Sequence, residues 1–160
     1  MDKKALIEKV LEKLRGEVRK MSEVLELKHR EINDAPGAMQ SHSDTTKFQA
    51  SAVAAEQASS LRERTDALHQ VEFFFSGGVS DHQTVGLGAI LEVVEGGKSV
   101  TRYIVLPAAG GEEVDFDGQP YLITTPDAPL ISKLSGKGKG AIENIFSRNR
   151  TRTIEIMNVW

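Results

Sequence analysis

A chain of 160 residues, 39% of them hydrophobic and 27% charged, has room for one ordinary domain or two small ones and none for a large enzyme. Its net charge of -3 supplies no bulk attraction for nucleic acid or membrane, so an electrostatic partner has to be met by a local patch. The absence of cysteine excludes disulfides, thiolate metal sites and thiol nucleophiles, which suits a reducing compartment. The opening Met1-Asp2-Lys3-Lys4 leads into alternating charges, and no apolar run reaches membrane length. The expectation is a cytoplasmic protein without a signal peptide or a membrane partner.

From Lys3 to Ile32 the only glycine is Gly16 and there is no proline. Ile7, Leu11, Leu14, Val18, Met21, Leu25 and Ile32 recur in steps of three and four, with Lys28 interrupting, which predicts a helix carrying a coiled-coil seam. Charges such as Glu8, Lys9, Glu12 and Lys13 solvate the other faces and add only about 0.2–0.5 kcal/mol per pair. Asn33-Asp34-Ala35-Pro36-Gly37 breaks that helix, because proline removes a donor and clashes with the preceding turn.

A second helix is predicted from Asp44 or Thr45 to Glu72. Ser43 or Asp44 is its N-cap, and Phe48, Ala54, Ala58, Leu61, Thr65 and Leu68 are its inward positions. Two helices of about 40 Å at 1.5 Å per residue, joined by a short connection, hide their stripes only by lying antiparallel. This predicts a hairpin over residues 1–75 with its tip at 34–47. Phe73-Phe74-Phe75 is expected at the joint between the hairpin and the C-terminal domain, and Ser76-Gly77-Gly78 as a turn.

The period then changes. Ala89–Val94 and Ser99–Leu106 read as two strands joined by Gly96-Gly97, Tyr121–Thr124 as a third, Ala128–Leu134 as a short helix and Thr151–Val159 as a closing strand. The acidic stretch Glu112–Gly118 does not have calcium-loop spacing and is expected to be a loop. Residues 80–160 are therefore read as an α+β domain with one short helix on a β-sheet.

These residues carry a resemblance. The hairpin, the run Val85-Gly86-Leu87-Gly88-Ala89-Ile90-Leu91-Glu92-Val93, and its continuation into Thr101-Arg102-Tyr103-Ile104-Val105 resemble the bacterial Gre transcript-cleavage factors, GreA and GreB, and their relatives. The segment Ile123-Thr124-Thr125-Pro126-Asp127-Ala128-Pro129-Leu130-Ile131-Ser132-Lys133-Leu134-Ser135-Gly136-Lys137-Gly138-Lys139-Gly140 is similar to the family's strand followed by "SPLARALLGKKVGD", where a proline opens a short helix and a Gly-Lys turn closes it. Together these pieces cover nearly the whole chain.

The resemblance implies an FKBP-like C-terminal domain that docks on RNA polymerase at the rim of its secondary channel, with the hairpin inserted into the channel. It places polymerase contacts at Pro126, Asp127, Pro129, Leu130 and Lys133. In cleavage factors the tip delivers an Asp and a Glu three positions apart that help hold a second Mg²⁺ for hydrolysis of backtracked RNA, chemistry that calls for hard oxygen ligands. Here Asp44 matches the Asp, but Lys47 stands where the Glu belongs. Asp34, across the turn, is the candidate replacement.

The expected function is therefore a channel-occupying regulator of elongation and not an enzyme. It has no cofactor or metal of its own and shares Mg²⁺ with the polymerase only if it is cleavage-active. An active cleavage factor using Asp44 and Asp34 is the alternative, and a peptidyl-prolyl isomerase or chaperone a weaker one, since Tyr103, Phe116, Tyr121, Phe146 and Trp160 are scattered along the sequence. Asp44 also reads simply as a helix cap. His29 and His42 lack ligand-like spacing and are read as surface residues. Lys133, Lys137, Lys139, Arg148, Arg150 and Arg152 crowd together with Glu143 as the lone acid, which reads equally as a face toward nascent RNA or the polymerase and as a solvated face. A monomer is expected.

Overall fold

The computed structural model describes the backbone of residues 2–34, 43–147 and 150–160, and within them the side chains other than those of 31–34, 43–47, 50, 147 and 150. Two long helices come first, α1 (Lys3–Asp34) and α2 (Ser43–Phe75). The remainder folds as β1 (Ile90–Glu95), β2 (Ser99–Val105), β3 (Glu113–Phe116), β4 (Gln119–Thr124), α3 (Pro129–Leu134), β5 (Ile142–Ser147) and β6 (Arg150–Val159). The fold is α+β, a long helix pair and a six-stranded mixed sheet with one short helix. By compactness the chain divides into Glu12–Asp66 and a second unit made of Met1–Leu11 with Ala67–Trp160.

Within Glu12–Asp66 the helices are antiparallel. Arg64 is ion-paired with Glu17, while Gln57, lower in number on α2, lines a cavity with Lys20, Met21 and Val24, higher in number on α1. Leu14 is fully buried and Ala54 nearly so, the alanine allowing close approach, whereas Val18, Met21, Leu25, Ala58 and Leu61 are half-buried. Lys28 is half-buried at the place where it interrupts the stripe, as a long aliphatic stem permits. Thr65 turns its hydroxyl back to the Leu61 carbonyl at 2.8 Å, so its polar group is satisfied inside its own helix. Intrahelical pairs Lys13–Glu17 and Arg30–Glu26, at 3.6 and 3.8 Å, add the weak support expected of them. One inward position fails: Phe48 is 76% exposed.

In the second unit, Asp2 caps α1 by accepting a hydrogen bond from the Ala5 N–H at 3.0 Å, the N-terminal role in which a short acid excels. The first turns of α1 bury Leu6, Ile7 and Val10, and the last turns of α2 bury Leu68 and Val71. α2 runs on through the three phenylalanines. Phe73 is left 82% exposed, but the Phe74 ring lies against Gly88, where a Cβ would come within 2.9 Å of it. Gly88 also has φ +84, a conformation that glycine adopts without penalty.

The sheet order is β3-β4-β2-β1-β6-β5. β2 and β4 are parallel, and every other neighbouring pair is antiparallel. β1, inside the sheet, is apolar on both faces: alternation sends Leu91 and Val93 to one side and Ile90 to the other. Leu91, Val93, Val105, Ile154 and Ile156 form a core with Ile131 and Leu134 of α3. Across the opposite face runs a polar ladder, with Asn158 donating to Glu92 at 3.0 Å, Glu92 paired with Arg102 at 2.8 Å and Arg102 donating to Gln119 at 2.8 Å.

Two strands were not expected. The acidic stretch predicted to be a loop contains β3, which turns into β4 through Asp117-Gly118 at φ 53 and 70, the left-handed pair that a tight hairpin turn requires. β5, the other edge of the sheet, pairs along β6 from Ile142↔Glu155 to Ser147↔Arg150.

Candidate binding site

The segment that leads into α3 is built by local chemistry. β4 ends at Thr124, the Ala128 N–H closes a turn onto the Thr125 carbonyl at 3.1 Å, and Pro129 occupies the start of α3, where its missing N–H costs nothing and its φ is already helical. The Asp127 carboxyl is held below its ordinary pKa by a hydrogen bond from the Thr125 side chain and by a backbone hydrogen bond. Ile131 and Leu134 point into the core, which leaves Pro126, Asp127, Pro129 and Lys133 exposed and Leu130 half-buried. All five residues expected to meet the polymerase thus belong to one short turn-and-helix segment, with Lys133 in the last turn of α3.

Beside this segment lies a cavity of about 360 Å³. Leu130 and Pro129 supply one wall, Ile145 and Phe146 of β5 another, and Tyr103, Arg152 and Ile154 of β2 and β6 the floor. Phe146 is 72% exposed. Glu95, which ends β1, grips Arg152 through two hydrogen bonds, one to Nε and one to Nη2. That pairing lowers the Glu95 pKa and raises that of Arg152. Burial, which outweighs the nearby Arg152 charge, raises the Tyr103 pKa, so its hydroxyl stays protonated and can donate.

Three cations of the expected basic patch have partners. Lys137 is paired with Glu143 at 2.7 Å, Lys139 donates to Asn158 at 2.9 Å and Arg152 is held by Glu95. Lys133 stands exposed on α3, Arg148 lies outside the described residues, and so does the side chain of Arg150.

At the other end of the chain, Asp34 is the last residue of α1 and Asp44 the second of α2. Their side chains, that of Lys47, and the whole of His42 lie outside the described residues, while His29 is exposed. Among the described residues no group of three or more His, Cys, Asp or Glu side chains could hold a metal ion, and no helix is long and apolar enough to cross a membrane.

The sequence pattern missed Glu95, Ile145 and Ile154 as site residues, and it read the aromatics as scattered. Tyr103 and Phe146 in fact line the same cavity, whereas Phe116 and Tyr121 pack edge to face with centroids 6.4 Å apart. The period of two along β6, which puts Arg152 and Ile154 on one face, was the available signal.

No family model and no curated protein matches this sequence. Solved structures do. One is Gfh1 of Thermus aquaticus, at 14% identity over 97% of this chain and 92% of that one, with a TM-score of 0.37. A second is the GreA factor homolog 1 (Gfh1) protein of Thermus thermophilus, at 15% identity over 98% and 93%, with a TM-score of 0.36. A third, described as the transcription factor Gfh1, has 16% identity over 93% and 92%, with a TM-score of 0.40.

Proposed function

We propose that this chain is a Gre-like transcription factor. It binds RNA polymerase through the Pro126–Lys133 side of its C-terminal domain and modulates elongation by placing the hairpin tip in the secondary channel, without being an enzyme itself. The observation that supports the reading is the α3 segment. The residues that resemble the family motif fold as a strand, a proline-opened helix and a Gly136 turn with φ +74, and they leave Asp127, Pro129 and Lys133 on the surface. The antiparallel pairing within Glu12–Asp66 is the second support, since a channel-entering hairpin needs two helices that return. Retention on immobilised core RNA polymerase tests the reading. Absence of binding under conditions where a Gre factor binds overturns it.

Regulation without robust cleavage is the favoured mode because Lys47 occupies the place of the second acid. A cation there opposes the divalent ion that two-metal hydrolysis requires. If the chain cleaves, Asp44 and Asp34 are the residues that would approach Mg²⁺ jointly with the polymerase, and a stalled, backtracked complex would release a short 3′ RNA fragment on its addition.

A further inference from the structure

The two edges of the sheet are guarded differently. β3, at one edge, is four residues long and sets Glu113 and Asp115 in water; short length and charge are the usual means by which an edge strand refuses a partner. β5, at the other edge, reads Ile-Glu-Asn-Ile-Phe-Ser, with neither proline nor lysine. Ile142 is 59% and Phe146 72% exposed, with the exposed Asn144 between them. The one acid of the strand, Glu143, is paired with Lys137 at 2.7 Å. We propose that β5 is a self-pairing edge. Two copies of this chain join antiparallel along it, about a two-fold axis at Asn144, so that the expected monomer gives way to a dimer as concentration rises.

The direction of the β5 backbone groups follows from the ladder. The Thr153 carbonyl accepts from the Gly96 N–H, on the β1 side of β6, whereas the Ile156 N–H donates to the Ala141 carbonyl on the β5 side. Bonding direction alternates residue by residue along a strand, so Ile154 and Arg152 bond to their partners Glu143 and Ile145. The N–H and C=O groups of Ile142, Asn144 and Phe146 therefore point away from the sheet, and among the described residues no strand lies beyond β5.

An axis at Asn144 sets this residue opposite its own copy and Ile142 opposite Phe146 twice over, since in a two-fold contact i meets j and j meets i. All three outward-facing positions then fall in hydrogen-bonded pairs, with about six bonds in total. The two Ile–Phe pairs cover the apolar side chains that the edge leaves in water. Asn144 is held for this role, its Oδ1 accepting from the Thr153 hydroxyl at 2.8 Å. An axis at Glu143 would set two carboxylates face to face, and one at Ile145 would take Ile142 out of register with Phe146. The carboxylates of β3 disfavour a β5–β3 pairing, which would grow into open fibres, so the assembly closes at two.

One strand per copy makes an interface small beside the roughly 1,000 Å² that a stable specific contact buries, so the association is weak. Sedimentation equilibrium of the full chain should show the mass rising from 17.5 kDa toward a plateau at twice that value between about 10 μM and about 1 mM. Asn144→Pro removes an N–H that only the partner copy uses, at a position where an edge strand tolerates proline. It should weaken dimerisation at least tenfold while keeping the wild-type urea midpoint. A mass that stays at one chain throughout, a mass that climbs past two chains without a plateau, or a folded Asn144→Pro that dimerises like wild type overturns the proposal. Cysteine cross-linking reads the register independently of whether Asn144→Pro folds. The chain has no cysteine of its own, and opposed Cα atoms in a hydrogen-bonded pair are about 5.5 Å apart, within disulfide reach. Under mild oxidation Asn144→Cys should cross-link to itself, Ile142→Cys alone should not, and an equimolar mixture of Ile142→Cys and Phe146→Cys should. Absence of the Asn144→Cys cross-link, or equal cross-linking of Ile142→Cys alone, overturns the proposal.

Discussion

The Lys3 ammonium, near the start of α1, donates to the backbone carbonyl of Trp160, at the far end of β6, across 3.0 Å. A second hydrogen bond from the same nitrogen reaches the Ser80 carbonyl. Lys3 is only 7% exposed, so these bonds stand in place of the water that a lysine ordinarily keeps. A sequence reading treats such a lysine as a solvated terminal charge. The structure makes it the tie between the first turn of α1, the segment after α2 and the end of the sheet.

Lys3→Met keeps most of the aliphatic stem and removes the donors, which leaves the Ser80 carbonyl without that partner and the Trp160 carbonyl with the Ile90 N–H. The expected loss of stability is about 1–3 kcal/mol, the net worth of hydrogen bonds donated by a charged group. Urea unfolding at neutral pH measures it. A variant within a few tenths of a kcal/mol of wild type would show that the Ser80 carbonyl finds another donor.

His82 lies close to this tie. Its pKa is lowered first by burial and then by the neighbouring Lys3 charge, against a smaller opposing effect of Asp81. Because the folded-state pKa is below the unfolded value of 6.5, the unfolded chain binds more protons in the window between the two, and stability rises with pH there. Acidification from 6.5 downward through the lowered pKa should therefore cost stability, and the His82 contribution is fully lost below it. Urea midpoints across that range should fall more steeply for wild type than for His82→Gln, and identical slopes would remove His82 from the account.

Gly88 has two reasons to be glycine, a positive φ and the Phe74 ring at 2.9 Å from where a Cβ would stand. Gly88→Ala should cost about 1–3 kcal/mol through strain and displacement. Phe74→Leu in the same chain should recover the part of the steric cost that the ring imposes, but neither the part imposed by His82 Nε2 at 3.1 Å nor the backbone part, so the two changes combine non-additively. Additive losses in the double variant would place the whole cost outside the Phe74 ring.

How much could be read from the sequence depended on whether the decisive partner lies nearby in the chain. Helix α1, the glycine turn between β1 and β2 and the Pro129-opened helix are written in local periodicity and local φ preference, and all three are where the sequence places them. β3 was hidden by its own acids. Four residues rich in Glu and Asp read as solvent-facing loop, although Asp117-Gly118 is a hairpin signal that a search for turns would have caught. The partners of the basic residues were not legible either: Arg152 is held by Glu95 on a neighbouring strand. Pairings that cross the sheet cannot be read from spacing. Phe48 falls in the seam by its period and is exposed.

The tip offers the sharpest functional test. Asp44 alone, with Lys47 in place of a second acid, leaves a site that should hold a second Mg²⁺ poorly, because hard divalent ions need several oxygen ligands and a nearby ammonium adds like-charge repulsion. Lys47→Glu replaces that cation with a carboxylate three residues after Asp44 and restores the acid pair of the family motif. Added to a stalled, backtracked elongation complex, this variant should release 3′ RNA fragments at least tenfold faster than wild type, and the further change Asp44→Ala should return the rate to background. Retention on core polymerase should be the same for all three proteins, since the residues proposed to dock, Pro126 to Lys133, are untouched. A wild-type protein that already cleaves rapidly, and loses cleavage on Asp34→Ala, would instead make Asp34 the second acid and replace the proposed regulator with a cleavage factor.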